Sequence, residues 1–122
     1  MKILLMIIVT VVVFCRPTPA FDPWSRGDIA REVAWQGIHL IDWGQTLDIA
    51  DNLDKYHEHN FWMGDHPSRG KVNLYMGLET ILHPLVTHVL PKSCRPYWQW
   101  VTIGISGGLV INNYSIGLKV RF

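Results

Sequence analysis

WQGIHLIDWGQTLDIADNLDKYHEHN, residues Trp35 to Asn60, sets one carboxylate, Asp42, and the polar pair Gln45 and Thr46 inside an otherwise apolar run of helix length. Followed upstream, the polar positions Asp28, Glu32, Gln36, His39, Asp42 and Thr46 recur at intervals of three and four, which gathers them on one helical stripe. Most of the remaining positions are Ile, Val, Leu, Ala or Trp. The pattern predicts a helix over residues 29–50 that is apolar on most of its circumference and polar along one line.

Two further segments repeat this pattern. Residues 71–90 carry Asn73, Thr80, His83 and Thr87 as a thin polar stripe, with Pro84 set to kink the helix and Pro91 to end it. His83 and His88 read as polar positions near helix ends. Residues 97–114 carry Gln99, Thr102, Ser106 and Asn113 on one face, in line with Arg95, with Gly104, Gly107 and Gly108 as small residues suited to close helix contact in a bilayer.

A surface helix normally shows a narrow apolar stripe and a wide polar face; here the balance is reversed. At 1.5 Å per residue the first segment reaches about 33 Å and the third about 27 Å, against a hydrocarbon core of about 30 Å. The expectation is an all-α fold, a small three-helix transmembrane bundle forming a single domain over residues 21–122, located in a bacterial inner membrane. A compact helical domain in the periplasm is the alternative. Basic residues divide almost evenly between the two sides, so the positive-inside rule sets no orientation.

Upstream, Met1 and Lys2 precede the apolar run Ile3 to Cys15 and the ending Thr18-Pro19-Ala20. A basic start, an apolar stretch too short to span and a small-residue terminus predict a secretory signal peptide over residues 1–20, with an uncleaved anchor or a lipoprotein acylated at Cys15 as alternatives. Residues 51–70 are rich in charge, Asn, Gly and Pro and read as a long loop. The tail alternates, with Tyr114, Ile116, Leu118, Val120 and Phe122 on one side, a strand-like pattern. Its terminal aromatic resembles the last strand of outer-membrane barrels, but the repeated alternating segments of a barrel are missing upstream. A short extended tail is therefore expected.

Composition narrows the function. The 122 residues are 48% hydrophobic and 17% charged, with six tryptophans, whereas an average soluble domain is roughly 25% charged. A net charge of +1 provides no basic footprint for a nucleic-acid backbone. The two cysteines, Cys15 and Cys94, suggest no disulfide framework.

Asp42-x-x-Gln45-Thr46, then Glu58-x-Asn60, Gly64 and His66-Pro67-Ser68 ahead of a helix, is similar to a pattern in small uncharacterised membrane proteins of bacteria and phages. More distantly it resembles the domain of unknown function DUF5658, in which an Asp and a Thr within one span precede a Glu-x-Asn-Pro turn. The likeness runs from Trp35 to the C-terminus, including Asn113 and Gly117, and departs at Phe61, where the pattern has proline. It implies a helical integral membrane protein and supplies no activity.

The expected polar centre, structural or binding, comprises Asp42, Gln45, Thr46, Glu58, Asn60, His66, Ser68, Asn73, Gln99 and Asn113. Asp42 would face the stripes of the other two helices, with Glu58 and Asn60 closing one end. Ser68 also reads as a helix cap. No cofactor is expected and no defined metal motif is present; His57, His59 and His66, with Glu58 and Asp65, are the available ligands. The leading functional expectation is a non-catalytic binding, scaffold or interaction component of the cell envelope, with membrane lipid, another envelope protein or a second copy as partner. A membrane-embedded metal-dependent hydrolase using Asp42, Glu58 and the loop histidines is one alternative. A phage-encoded envelope or outer-membrane factor is another.

Overall fold

The computed structural model describes residues 21–56, 63–64 and 66–122. Three helices account for most of them: α1 (Arg26–Asp51), α2 (Arg69–Val89) and α3 (Arg95–Ser115). The predicted signal peptide, and Glu58, Asn60, His57, His59 and Asp65, lie outside the described residues.

Each helix starts and stops for a local chemical reason. Ser25 opens α1 with a capping box: its hydroxyl accepts from the Asp28 amide at 3.0 Å, and the Asp28 carboxylate accepts from the Ser25 amide at 2.9 Å. Ser68 caps α2 as expected, accepting from the Lys71 amide. The α2 helix stops at Leu90, which is extended (ψ 142°) as a residue before proline prefers. At the end of α3, Gly117 adopts φ 92°, a left-handed conformation that glycine takes without penalty. The Leu118 amide then bonds the Asn113 carbonyl, and the Gly117 amide that of Tyr114, which closes a Schellman turn.

Cross-helix contacts define the topology. Along α1, Glu32, Gln36, His39 and Trp43 meet His83, Thr80, Met76 and Asn73 in descending order, so α1 and α2 are antiparallel. Arg31 and Gln45 meet Gln99 and Val110 in ascending order, so α1 and α3 are parallel. The chain is an up-down-up bundle with α1 as the shared helix.

The turn between α2 and α3 is closed by Arg95, which is fully buried. Its guanidinium donates to the carbonyls of Leu90, His88, Pro23 and Asp22, and the Asp28 carboxylate stands 3.8 Å away. Two of those carbonyls belong to the C-terminal end of α2, whose last turn lacks intrahelical donors. Cys94, also buried, is disulfide-bonded, although the two cysteines suggest no disulfide framework.

The transmembrane expectation is corrected. Among the described residues, no helix is long and apolar enough to cross a membrane. Length is not what fails, since α1 has 26 residues and α2 and α3 have 21 each. Charge is what fails in α1, which carries Asp28, Arg31, Glu32 and Asp48 besides Asp42, each costly at mid-bilayer. Much of the apolar look of α3 comes from Trp, Tyr and Gly, which contribute little hydropathy. The inner-membrane location falls with the spans. The outer-membrane alternative loses its strand, because residues 116–122 form none and instead lie along α1, the Arg121 amide donating to the Gly44 carbonyl at 3.0 Å.

The polar stripes do turn inward. Glu32, His39, Gln45, Thr46 and Asp48 on α1, His83 and Thr87 on α2, and Gln99 on α3 are all buried, while Leu74, Leu78, Ile81 and Leu85 of α2 are exposed. A small apolar core of Leu47, Met63, Val72 and Met76, flanked by Trp43, Ala50 and Tyr75, locks α1 to the start of α2.

Candidate functional site

Glu32 is the node of the interior. One face of α1 directs it at both other helices, where its carboxylate receives His83 Nδ1 at 2.9 and 3.0 Å, Gln36 at 3.2 Å, Thr87 at 3.3 Å and Gln99 at 3.3 Å. Burial pushes its pKa up, but the hydrogen bond and attraction of His83, with the bonds from Gln36 and Gln99, outweigh burial and hold it below its ordinary 4.5. Asp28, one turn earlier, follows the same balance. Burial raises it, and the Ser25 amide and hydroxyl, then Arg31 and Arg95, bring it below its ordinary 3.8.

Gln36 has a second task. A proline at position 84 has no N–H to give the carbonyl four residues earlier, and Gln36 Nε2 donates to that carbonyl, Thr80 O, at 3.0 Å. The amide of α1 thus replaces the donor that α2 lacks.

Beside Glu32 the aromatic and imidazole rings form a column. His39 stacks on Trp35 (centroids 4.6 Å, interplanar 10°), Trp35 on His83 (3.7 Å, 6°) and His83 on Trp98 (5.2 Å, 25°). The spacing of Trp35 and His39 puts both on one face of α1. His83 Nε2 lies 2.9 Å from Thr102 Oγ1. The other imidazole is fixed by His39 Nε2, 3.0 Å from the Met76 carbonyl, with Glu79 3.8 Å from Nδ1.

The column forms one wall of a cavity of about 480 Å³ between the three helices. From α1 it is lined by Trp35, His39, Asp42, Thr46 and Ile49, from α3 by Trp98, Thr102, Ile105, Ser106, Leu109, Asn112 and Asn113, and just past its end by Ile116. The α1 set alternates steps of four and three, the spacing of a coiled-coil seam. Here the seam does not close, because Asp42, Thr46, Thr102 and Ser106 are too short or too polar to fill it. Leu82 of α2 and Ile105 and Leu109 of α3 line the cavity and are also about half exposed, so its mouth lies between α2 and α3.

At the far end Asn113 Nδ2 donates to Asp42 Oδ1 at 3.2 Å and to Gln45 Oε1 at 3.1 Å, and Gln45 Nε2 reaches the Val110 carbonyl at 3.3 Å. Thr46 bonds the Asp42 carbonyl within its own helix. Asp42, Gln45, Thr46 and Asn113 are therefore brought together at this end. Gln99 instead joins Glu32, Asn73 sits on the exposed side accepting from Trp43 Nε1, Ser68 is a cap, and His66 is exposed ahead of α2.

Several groups escaped sequence reasoning. Glu32 and His83 were visible only as stripe members, and Asp48 had no partner in view. Asp48 is buried and docks the tail, accepting from the Lys119 amide at 2.9 Å and pairing with Arg121 Nε at 2.9 Å. Gly44 makes this approach possible, since a Cβ there would overlap the Val120 side chain and touch the Phe122 ring. The tail of alternating residues gave the signal, but its docking site could not be located without the fold. Among the described residues no group of three His, Cys, Asp or Glu side chains could hold a metal ion.

No protein-family model, no curated protein and no solved structure matches the chain.

Proposed function

We propose that the protein is a non-catalytic binding component that takes a small apolar molecule into the cavity between its three helices. The observation that carries this reading is the unclosed seam itself: about 480 Å³, mostly apolar on its walls, with a mouth between α2 and α3. Small-molecule pockets run from about 300 to 1,000 Å³ and combine apolar walls with a few placed polar groups. Asp42 and Asn113 at one end and the ring column at the other are such groups.

A hydrolase is the rival class. Glu32, His83 and Thr102 stand in the order carboxylate, imidazole, hydroxyl, which can activate a nucleophile. Thr102 Oγ1, however, also lies 2.9 Å from the Trp98 carbonyl and 3.0 Å from that of Gln99. Its proton has backbone acceptors, the usual state of a helical threonine, so the hydroxyl is engaged by its own helix and binding is preferred over catalysis.

Titration with the neutral reporter N-phenyl-1-naphthylamine tests the reading. Saturable binding at one site per chain is expected, lost by at least about tenfold in Ser106→Leu, which fills the seam, with thermal stability retained. Equal binding by both proteins, or none by either, would refute it.

A further inference from the structure

The cavity's two carboxylates stand among groups whose donors are already spent. Asp42, Thr46 and Asn113 line one end. There Asn113 Nδ2 donates to Asp42 Oδ1 and Gln45 Oε1, Gln45 Nε2 to the Val110 carbonyl, and the Thr46 hydroxyl to the Asp42 carbonyl. Because its N–H₂ group is turned to two acceptors, the Asn113 amide is left with its Oδ1, which can only accept. The Asp42 carboxylate has about four lone-pair sites, so the bond from Asn113 fills only part of its capacity. One turn earlier on α1, His39 spends its Nε2 proton on the Met76 carbonyl, and Glu79 stands 3.8 Å from Nδ1. Ser106 and Asn112, also on the lining, can donate or accept and suit either kind of partner.

Charge runs the same way. Asp42 and Glu79 line the cavity, and among the described residues around it there is neither lysine nor arginine. Away from bulk water a charge is felt more strongly than in it, so an anionic head is repelled and a cationic one drawn in. An excess of acceptors calls for a head group that donates, and a negative end calls for one with positive charge. An alkylammonium meets both, with three N–H donors on an apolar body. Leu82, Ile105 and Leu109 provide apolar wall for that body, and the volume of about 480 Å³ is about three times the roughly 150 Å³ that admits a benzene ring.

We infer that the ligand is a lipophilic amine bound as its ammonium ion, the head group donating to the Asp42 carboxylate and Asn113 Oδ1 and the apolar body lying along the seam towards the mouth between α2 and α3. This rests on the binding function proposed above and specifies the head group it selects.

Four nine-carbon probes separate the two claims: nonane, 1-nonanol, nonanoate and nonylammonium, each competed against the naphthylamine reporter on the full chain at neutral pH. Nonylammonium should lead nonane and 1-nonanol by about tenfold or more, the ratio that one hydrogen bond to a charged group provides, with nonanoate weakest. In Asp42→Asn, which keeps the shape and removes the charge, the ratio of nonylammonium to 1-nonanol affinity should fall by about fivefold or more. If 1-nonanol or nonane matches nonylammonium on the wild-type protein, the amine proposal fails and the binding function stands; if nonanoate is tightest, the proposal fails as well. An undiminished ratio in Asp42→Asn also overturns it. If none displaces the reporter, both claims fail. Should the variant not fold, the wild-type ranking still decides, together with the Asp42 carboxyl resonance of ¹³C-labelled protein. That resonance should move with nonylammonium and not with nonane, and its failure to move overturns the proposal.

Discussion

Replacing Glu32 with glutamine changes one oxygen to an amide nitrogen and removes a charge at the point where three helices meet. The native carboxylate receives four side-chain donors, from His83, Gln36, Thr87 and Gln99. Glutamine retains one acceptor oxygen and turns an N–H₂ group towards donors that previously met an acceptor. A hydrogen bond to a charged group contributes about 1.5–3 kcal/mol and an unmet buried donor costs about 1–3 kcal/mol. The two add to about 2.5–6 kcal/mol, which brackets the roughly 3–5 kcal/mol for breaking a buried ion pair from one side. Asp51→Asn is the control. It breaks the 2.6 Å pair with Arg69, whose side chains are 42% and 37% exposed, and an exposed pair contributes about 0–1 kcal/mol. Urea unfolding followed by far-UV circular dichroism at neutral pH measures both. Raising salt to 1 M, where the Debye length is about 3 Å, should shrink the Asp51 effect and leave that of Glu32 largely intact. A loss under about 1 kcal/mol for Glu32→Gln, or one no greater than for Asp51→Asn, would refute the assignment of Glu32 as the node.

Three further outcomes follow from the same contacts. Asp28 and Glu32 hold folded-state pKa values below 3.8 and 4.5, so the unfolded chain binds their protons at higher pH than the folded one. Their stabilisation is complete above those values and is lost as pH falls through 4.5 and 3.8 towards the depressed folded values; urea midpoints that stay flat between pH 5 and about 2 would contradict this. Gly44→Ala should push Val120 and Phe122 off α1 at a cost of about 1–2 kcal/mol, typical of overpacking, and the Arg121 amide should lose hydrogen-exchange protection; retained protection would show the tail docks elsewhere. Arg95→Met strands four carbonyls and should cost about 3–5 kcal/mol, with Arg95→Lys recovering only part because one ammonium cannot span them. A methionine variant within about 1 kcal/mol of wild type in the same urea assay would be inconsistent with the burial described.

What the sequence discloses is the local part of this structure. The three helices expected over 29–50, 71–90 and 97–114 are found as Arg26–Asp51, Arg69–Val89 and Arg95–Ser115, because periodicity, Ser25 and Ser68 caps and Pro91 all act within a few residues. The stripe from Asp28 to Thr46 was legible for the same reason, as was the grouping of Asp42, Gln45 and Thr46, neighbours on one helix. Rank within the stripe was not. Asp42 drew attention because its surroundings in sequence are the most apolar, yet Asp42 is half-buried while Glu32 and Asp48 are buried. Burial depends on which residues of the other helices arrive opposite, and that follows from one antiparallel and one parallel pairing, with registers that no single segment encodes. Stripe width, helix length and low overall charge all pointed to a bilayer. Charge counted over the whole of α1 argues the other way.

Gln36 and Pro84 have a consequence beyond their own helices. With proline at 84 the Thr80 carbonyl depends on an amide from α1; with any other residue there, the restored N–H of α2 would claim that carbonyl and leave Gln36 with only its 3.2 Å contact to Glu32. The two positions are therefore not free to vary one at a time: losing Gln36 strands the Thr80 carbonyl only while the proline stands, and losing the proline leaves the glutamine only its bond to Glu32. A substitution at one site changes what is tolerated at the other, across 48 positions of chain and two different helices.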